Sequence, residues 1–176
     1  MATAATLPGV AGGQLLRSTP RARISDAATD RAPIARDRTV RMAVEVGIAA
    51  GMHVNANPAT YDWLIPVEVS VAGADGISVI DAYYPEAESR KFPYDEKPFL
   101  VYEGTFVVGL LLAVAETADT GDREIEIVLD YQACNDQACF APTEASHRLP
   151  VTIVADPALS LETDSPLLAR APFPKH

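Results

Sequence analysis

Positive charge and long apolar segments are both scarce in this sequence. Its 176 residues include 14 Lys and Arg against 24 Asp and Glu, which gives a formal net charge of −10. An acidic chain is repelled by phosphates, so nucleic acid and anionic membranes are excluded as main partners. The longest apolar run, 105–115, has eleven residues, against the roughly 20 of a membrane-spanning helix. We therefore expect no membrane insertion by this chain.

An apolar leader is missing as well. A signal peptide needs roughly 7 to 15 uninterrupted apolar residues, and no such stretch is visible near the amino terminus. Residues 1–41 instead hold seven arginines and three aspartates, a net charge of +4 that leaves −14 on the rest. They are rich in Ala, Thr, Gly and Pro without a hydrophobic period. Residues 1–37 are therefore predicted to form a flexible extension.

Proline is concentrated at the other end of the chain. Residues 156–176 contain Pro157, Pro166, Pro172 and Pro174. Prolines at this density are unfavourable to a continuous helix or a central strand. We predict a second, flexible and Pro-rich tail over 156–176, which leaves 38–155 as the folded domain.

Convincing amphipathic helices are absent from that domain, where apolar residues recur at every second position. This period is typical of half-buried strands. It occurs over 40–48, 65–71, 77–79, 125–131 and 149–153, and the run 106–114 is apolar on both faces, as in a strand covered on both sides or a short buried helix. Turn-forming residues separate these segments. Six to eight short strands in about 115 residues indicate an all-β antiparallel sandwich or barrel, and we favour the sandwich.

Cysteine is limited to Cys134 and Cys139, within the segment YQACNDQACFAP at 131–142. The first follows a predicted strand directly, and four intervening residues allow a turn to bring the two sulfurs together. A disulfide that closes so short a loop stabilises a fold by only about 2 kcal/mol. Such a bond is a weak structural link and a candidate reactive site.

The spacing alone leaves other interpretations of the cysteines open. Two cysteines in a small exported β-domain usually form an inert bridge. A zinc site could use both together with His147, but the sequence offers no fourth ligand or standard spacing. A cysteine nucleophile would need a histidine base, and nothing in the pattern indicates one. We expect no metal and no cofactor.

The cysteine segment resembles that of the amino-terminal domain of DsbD-type thiol:disulfide interchange proteins. The shared pattern is Tyr-Gln-x-Cys, a short loop, then Cys-hydrophobic-x-Pro. Three upstream blocks resemble the same family in the same order: GMHVNANP at 51–58, LIPV at 64–67 and VYEG at 101–104. The resemblance extends over residues 40–154, and the cysteine block is its most specific part.

This resemblance implies an immunoglobulin-like sandwich with one redox-active cysteine pair in the bacterial periplasm. Such a domain accepts electrons from a thioredoxin-like donor and reduces thioredoxin-fold acceptors, which serve disulfide isomerisation or cytochrome c maturation. By this comparison Cys139 forms the mixed disulfide with partners and Cys134 resolves it. The expected activity is that of a protein-disulfide reductase, in a monomeric domain located outside the cytoplasm.

The family also shields its cysteines with a loop that carries an aromatic residue. The corresponding region here is 84–94, with Tyr84, Phe92 or Tyr94 as the covering ring. Tyr131 is a further candidate for lining the site. Asp136 lies between the cysteines, where its negative charge is expected to raise the thiol pKa values and slow reaction without a partner.

Two other functions remain open from the sequence. One is a binding or accessory sandwich with an inert disulfide, for which replacement of both cysteines would leave function intact. The other is a formerly redox-active domain that now docks a partner whatever its redox state.

Overall fold

The computed structural model describes residues 20–73, 75–92 and 96–174, which are almost all in strands or loops. The elements, in chain order, are β1 (Ala22–Thr29), β2 (Arg31–Ala32), β3 (Ile34–Ala35), β4 (Arg38–Ile48), β5 (His53–Asn55), β6 (Glu68–Ala72), β7 (Ile77–Tyr83), β8 (Glu88–Arg90), β9 (Phe99–Tyr102), β10 (Thr105–Val114), β11 (Gly121–Tyr131), β12 (Ala133–Cys134), β13 (Thr143–Val154), a 3₁₀-helix (Pro157–Leu159), β14 (Leu161–Glu162) and α1 (Pro166–Arg170). None of the helices in these ranges has the length and apolar character to cross a bilayer.

Two four-stranded sheets enclose the hydrophobic core. The front sheet has the strand order β1-β4-β10-β7, and the back sheet has the order β3-β13-β11-β6. Neighbouring strands are antiparallel except for β3, which pairs with β13 in parallel. Buried residues of both sheets form one cluster. The predicted fold class, an antiparallel immunoglobulin-like β-sandwich, is confirmed.

Alternating hydrophobicity brings these two sheets together. On β4, Val40 and Met42 are at most 1% exposed, and on β11 Ile125 and Ile127 are fully buried. Side chains at the positions between them point away from this core because successive residues of a strand face opposite sides. The strands predicted over 40–48, 125–131 and 149–153 lie within β4, β11 and β13, which confirms these predictions.

The strand β10 is covered on both faces, as its apolar run predicts. Its outer face contributes Val107 to a small buried cluster with Ala43 of β4 and Leu167 of α1. Gly109 lies on the same outer face, where an added Cβ would come within 2.8 Å of the Phe173 ring. The C-terminal segment thus forms the second cover of β10.

This packing corrects the prediction of a flexible tail over 156–176 for the residues up to 174. Pro157 and Pro166 stand at the beginning of the 3₁₀-helix and of α1. At the first helical position proline removes an N–H that has no intrahelical partner, so it initiates these short helices instead of preventing them. The segment is also held by Thr163, whose N–H donates to the Asp30 carbonyl oxygen at 3.1 Å.

The predicted amino-terminal boundary at residue 38 also needs correction. β1 is an edge strand of the front sheet and pairs with β4 from Ala22 opposite Ile48 to Thr29 opposite Met42. The register shifts between Ile24 and Asp26, so a bulge interrupts the alternation that would have revealed the strand. Residues 1–19, the remainder of the predicted extension, lie outside the described residues.

Candidate functional site

A third sheet, here called the site sheet, has the strand order β12-β5-β9-β8. β12 comes from the cysteine segment, β5 from the block at 51–58, and β9 leads into the block at 101–104. Val54 of β5 lies opposite both Ala133 and Tyr102. Three blocks that are far apart in the sequence are therefore adjacent in the fold.

Two asparagine side chains attach the fourth block, 64–67, to the site sheet. The buried Asn55 donates from Nδ2 to the Ile65 carbonyl oxygen at 3.0 Å, and Asn57 does the same to Val67 at 3.0 Å. The Val67 N–H donates in return to the Asn55 carbonyl oxygen at 3.0 Å. These bonds explain why asparagine recurs in the block at 51–58.

Cys134 and Cys139 are joined by a disulfide across a tight hairpin turn. Their Cα atoms are 4.0 Å apart, and the two residues form an antiparallel bridge. Asn135 closes the turn, because its Oδ1 accepts from the N–H groups of Gln137 and Ala138 at 2.9 and 2.8 Å. Both sulfurs are bonded to each other, so the alternative zinc set with His147 is not assembled in this state.

The two cysteines differ sharply in exposure. Cys134 follows the buried end of β11 and is 1% exposed, whereas Cys139 lies on the far side of the turn and is exposed. The body of the domain therefore encloses Cys134, while Cys139 is open to solvent.

Phe140, the residue after Cys139, is held by two hydrogen bonds and a cation–π contact. The Phe140 N–H donates to the Ala133 carbonyl oxygen at 2.9 Å, and its own carbonyl oxygen accepts from Gln132 Nε2 at 3.0 Å. The Arg21 guanidinium lies over the Phe140 ring, 3.7 Å from its centroid. A positive charge is thereby held over the side chain of the residue that follows the exposed cysteine.

Tyr131 anchors the strand that leads to the cysteines. Its ring is 4% exposed, and its hydroxyl accepts from the Ala22 N–H at 3.3 Å. The residue joins β11 to β1, which is an anchoring role within the core. The prediction that Tyr131 also lines the reactive site remains a prediction.

Asp136, at the tip of the turn, is paired with a cation from the opposite side of the site. Arg90, the last residue of β8, donates from one guanidinium nitrogen to Asp136 Oδ1 at 2.8 Å and from the other to Glu103 Oε1. The charge of Asp136 is partly offset by this pairing, and its expected effect on the thiol pKa values remains a prediction. The same contact ties the 84–92 region to the cysteine turn.

Of the three candidate covering rings, Phe92 has the contacts that reach the site sheet. It is 1% exposed, and its ring lies 4.8 Å from that of His53 and 5.4 Å from that of Phe99. Tyr84 instead accepts from the Val69 N–H at 2.9 Å and packs against the main core. Tyr94 lies outside the described residues.

Burial shifts the titration of groups in and around the site sheet. The pKa of His53 is lowered from its ordinary value, mainly because burial disfavours the imidazolium and also because the Arg90 guanidinium repels it. Asp136 acts in the opposite direction. Burial also raises the pKa of Tyr102 to about 12, so this hydroxyl stays protonated and donates to the Pro85 carbonyl oxygen at 2.9 Å.

Sequence reasoning favoured a structural role for His53 over that of a proton carrier and did not place Arg90 or Arg21 at the site. These residues come to the cysteine turn through cross-strand pairing or a long side chain, and neither arrangement leaves a local pattern. The one available signal was the position of His53 inside a family-like block.

Comparison with known proteins found one matching family model and several similar structures. The family model described as thiol:disulfide interchange protein DsbD, N-terminal, matches residues 23–150. Among solved structures, the reduced DsbD N-terminal domain of Neisseria meningitidis is similar at 18% identity and a TM-score of 0.43, with 70% of this chain and 85% of that chain covered. The N-terminal periplasmic domain of ScsB from Proteus mirabilis is similar at 15% identity and a TM-score of 0.47, with 70% of this chain and 44% of that chain covered. Among curated proteins no match was found.

Proposed function

The chain belongs to the DsbD N-terminal family of thiol:disulfide interchange proteins, and from this we propose that Cys134 and Cys139 relay electrons between thioredoxin-like proteins. The observation that carries the proposal is the asymmetry of the pair, in which Cys139 is exposed and Cys134 is buried. An inert bridge has no need of an accessible sulfur. A relay requires one, since exchange proceeds by attack on a disulfide sulfur through a mixed disulfide.

The electron transfer consists of two exchange reactions. A thiolate of the reduced donor attacks Cys139 Sγ, the disulfide bond breaks, and its electron pair leaves on Cys134 Sγ, which takes up a proton. The second donor thiol, as thiolate, attacks the donor sulfur of the mixed disulfide. This leaves the donor oxidised and the domain as a dithiol, with two electrons transferred.

The second half repeats this chemistry with an acceptor. The Cys139 thiolate attacks the acceptor disulfide, and Cys134 loses its proton and attacks Cys139 Sγ to release the reduced acceptor. Thioredoxin-fold proteins outside the cytoplasm, such as a disulfide isomerase or a cytochrome c maturation protein, are the proposed acceptors. The proposed location of the chain is the periplasm, where disulfides persist.

Phe92 is proposed as the residue that restricts access to the buried Cys134 when no partner is bound. It is buried between His53 and Phe99 at the end of the segment that Arg90 ties to the cysteine turn. A partner that displaces this segment would gain access to Cys134.

The reduction potential of the pair tests the proposal. Equilibration with graded thiol buffers and trapping of free thiols by mass tags should give a value between about −180 and −270 mV, where exchange proteins operate. A value below about −300 mV is typical of structural disulfides and would support the accessory domain with an inert bridge instead.

Trapping variants test the roles of the two cysteines. Cys134→Ser retains the exposed thiol and should accumulate a mixed disulfide with an oxidised thioredoxin-like protein. Cys139→Ser is the matched control and should accumulate none. Equal trapping by both variants would contradict the assignment of roles.

A further inference from the structure

His53 is a buried histidine directly across the sheet from the buried cysteine. In the antiparallel pairing of β12 with β5, Cys134 lies opposite His53. Directly opposed residues project to the same face of a sheet, with Cβ atoms about 4.5–5.5 Å apart. Both residues are 1% exposed, so their side chains are buried next to each other on one face of the site sheet.

The imidazole has an unsatisfied nitrogen in that space. Its Nδ1 is buried and has no hydrogen-bond partner within the described part of the chain. Leaving a buried polar atom unpaired costs about 1–3 kcal/mol, and such atoms in native proteins call for an explanation such as a catalytic or redox role. Because Phe92 lies against the imidazole, an apolar ring at position 53 would pack there without a buried, unpaired nitrogen.

Burial and the charges around His53 favour its neutral form. Burial is the main reason that the pKa of His53 lies below its ordinary value of 6.5, and the Arg90 guanidinium adds to this effect by repelling the imidazolium. Asp136 attracts the imidazolium and acts in the opposite direction, while Glu103 is itself paired with Arg90. A neutral imidazole with a free nitrogen can accept a proton.

We propose that His53 carries the proton of the resolving cysteine Cys134. The inference rests on the proposed relay and adds a proton carrier to it. When Cys134 attacks, its thiol proton passes to the imidazole as the thiolate forms a bond to Cys139 Sγ, and the acceptor leaves with the electron pair of the broken bond. When a donor thiolate attacks Cys139, the imidazole takes up a proton from solvent and passes it to the departing Cys134 sulfur.

An aromatic disulfide that releases the coloured thionitrobenzoate anion separates the two cysteine steps. Mixed with the reduced full-length chain in a stopped-flow instrument, it should release one anion when Cys139 attacks and a second when Cys134 resolves the adduct. Only the second wave should be independent of reagent concentration. Cys134→Ser should show the first wave alone, which assigns the second to Cys134.

The variant His53→Gln should slow the second wave at least about tenfold near pH 7 and leave the first within about twofold, since general base catalysis contributes 10²–10⁴. The wild-type second wave should level off above the pKa of the imidazole. In the variant it should instead rise about tenfold per pH unit, because only preformed thiolate reacts. His147→Gln, which changes a histidine of β13, is the matched control and should behave as wild type.

An unchanged second wave and pH profile in His53→Gln would overturn the inference. If that variant does not fold, the pH dependence of the wild-type second wave tests the inference. A rate that rises about tenfold per pH unit from about pH 5 to pH 8 without an inflection would show that the imidazole does not accept the proton. Failure of the proposed relay would give a different result from failure of this inference. Cys139 would not react in the first wave, or a thioredoxin-like protein would not reduce the cysteine pair.

Discussion

At the residue scale, the environment of His53 couples the stability of the fold to pH. Because the pKa of the imidazole is lowered in the folded chain, the unfolded chain binds a proton there more readily. Protonation therefore favours unfolding. The free energy of unfolding should decrease as pH falls below about 6.5 and stop decreasing, for this residue, below the pKa in the folded state.

Urea unfolding of the oxidised wild type and of His53→Gln at a series of pH values measures this contribution. The difference between the two curves should change between about pH 6.5 and the lower pKa of the folded state and be constant elsewhere. Glu45 does not contribute to the change near pH 6.5. Hydrogen bonds from Ser25 and Arg170 hold its pKa below 4.5, so the stability that its carboxylate contributes is lost only at more acidic pH. A difference that does not vary with pH would show that His53 titrates alike in both states.

Phe92 offers a second test at this scale. Phe92→Ala should accelerate alkylation of Cys134 in the reduced chain several-fold, because the ring that packs on His53 is removed. Leu64→Ala is the matched control, since Leu64 belongs to the same small buried cluster and its truncation costs a comparable amount of stability. Equal alkylation rates in wild type and Phe92→Ala, measured by mass spectrometry, would remove Phe92 from the covering role.

At the scale of elements, the packing of the C-terminal segment on the front sheet includes a close approach of the Phe173 ring to Gly109. Gly109→Ala would place a Cβ 2.8 Å from the Phe173 ring and displace it. Phe173→Ala removes the same contact from the other side. We therefore expect each single variant to lower the free energy of unfolding and the double variant to cost less than their sum. Strict additivity in urea unfolding would mean that Gly109 and Phe173 do not interact in solution.

The sequence predicted the elements whose period is regular and missed those whose period is broken. β4 and β11 were evident because apolar residues such as Val44 and Ile127 occupy every second position. β1 was hidden by its bulge at Ser25 and by small core residues such as Ala22. α1 was hidden because Pro166 was interpreted as a helix breaker and not as a first helical residue.

The candidate site was predictable to a similar degree. Cys134 and Cys139 are close in sequence, and their turn depends on local residues, so a linear motif reveals them. The partnership of Cys134 with His53 depends on the pairing of β12 with β5, which brings together residues 81 positions apart. No local pattern encodes such a register, which explains why the pairing of His53 with Cys134 and the contact of Arg90 with the turn emerged only from the structure.

At the scale of the whole molecule, the stability of the fold is largely independent of the cysteine pair. The core lies between the front and back sheets, and the disulfide spans only five positions at the edge of a third sheet. A relay must open and close its disulfide without unfolding, and this arrangement allows it. A domain that needed the bond for folding would lose its structure in every catalytic cycle.

The variant in which both Cys134 and Cys139 are replaced by serine tests this independence. It should fold cooperatively, with a free energy of unfolding about 2 kcal/mol below that of the oxidised wild type, as expected for so short a closed loop. The reduced wild type should be destabilised by a similar amount, because it lacks the same constraint. Urea unfolding of the three proteins, monitored by circular dichroism, measures both differences. Loss of cooperative unfolding in the reduced wild type would show that the disulfide holds the fold together, and it would favour a structural bridge over a relay.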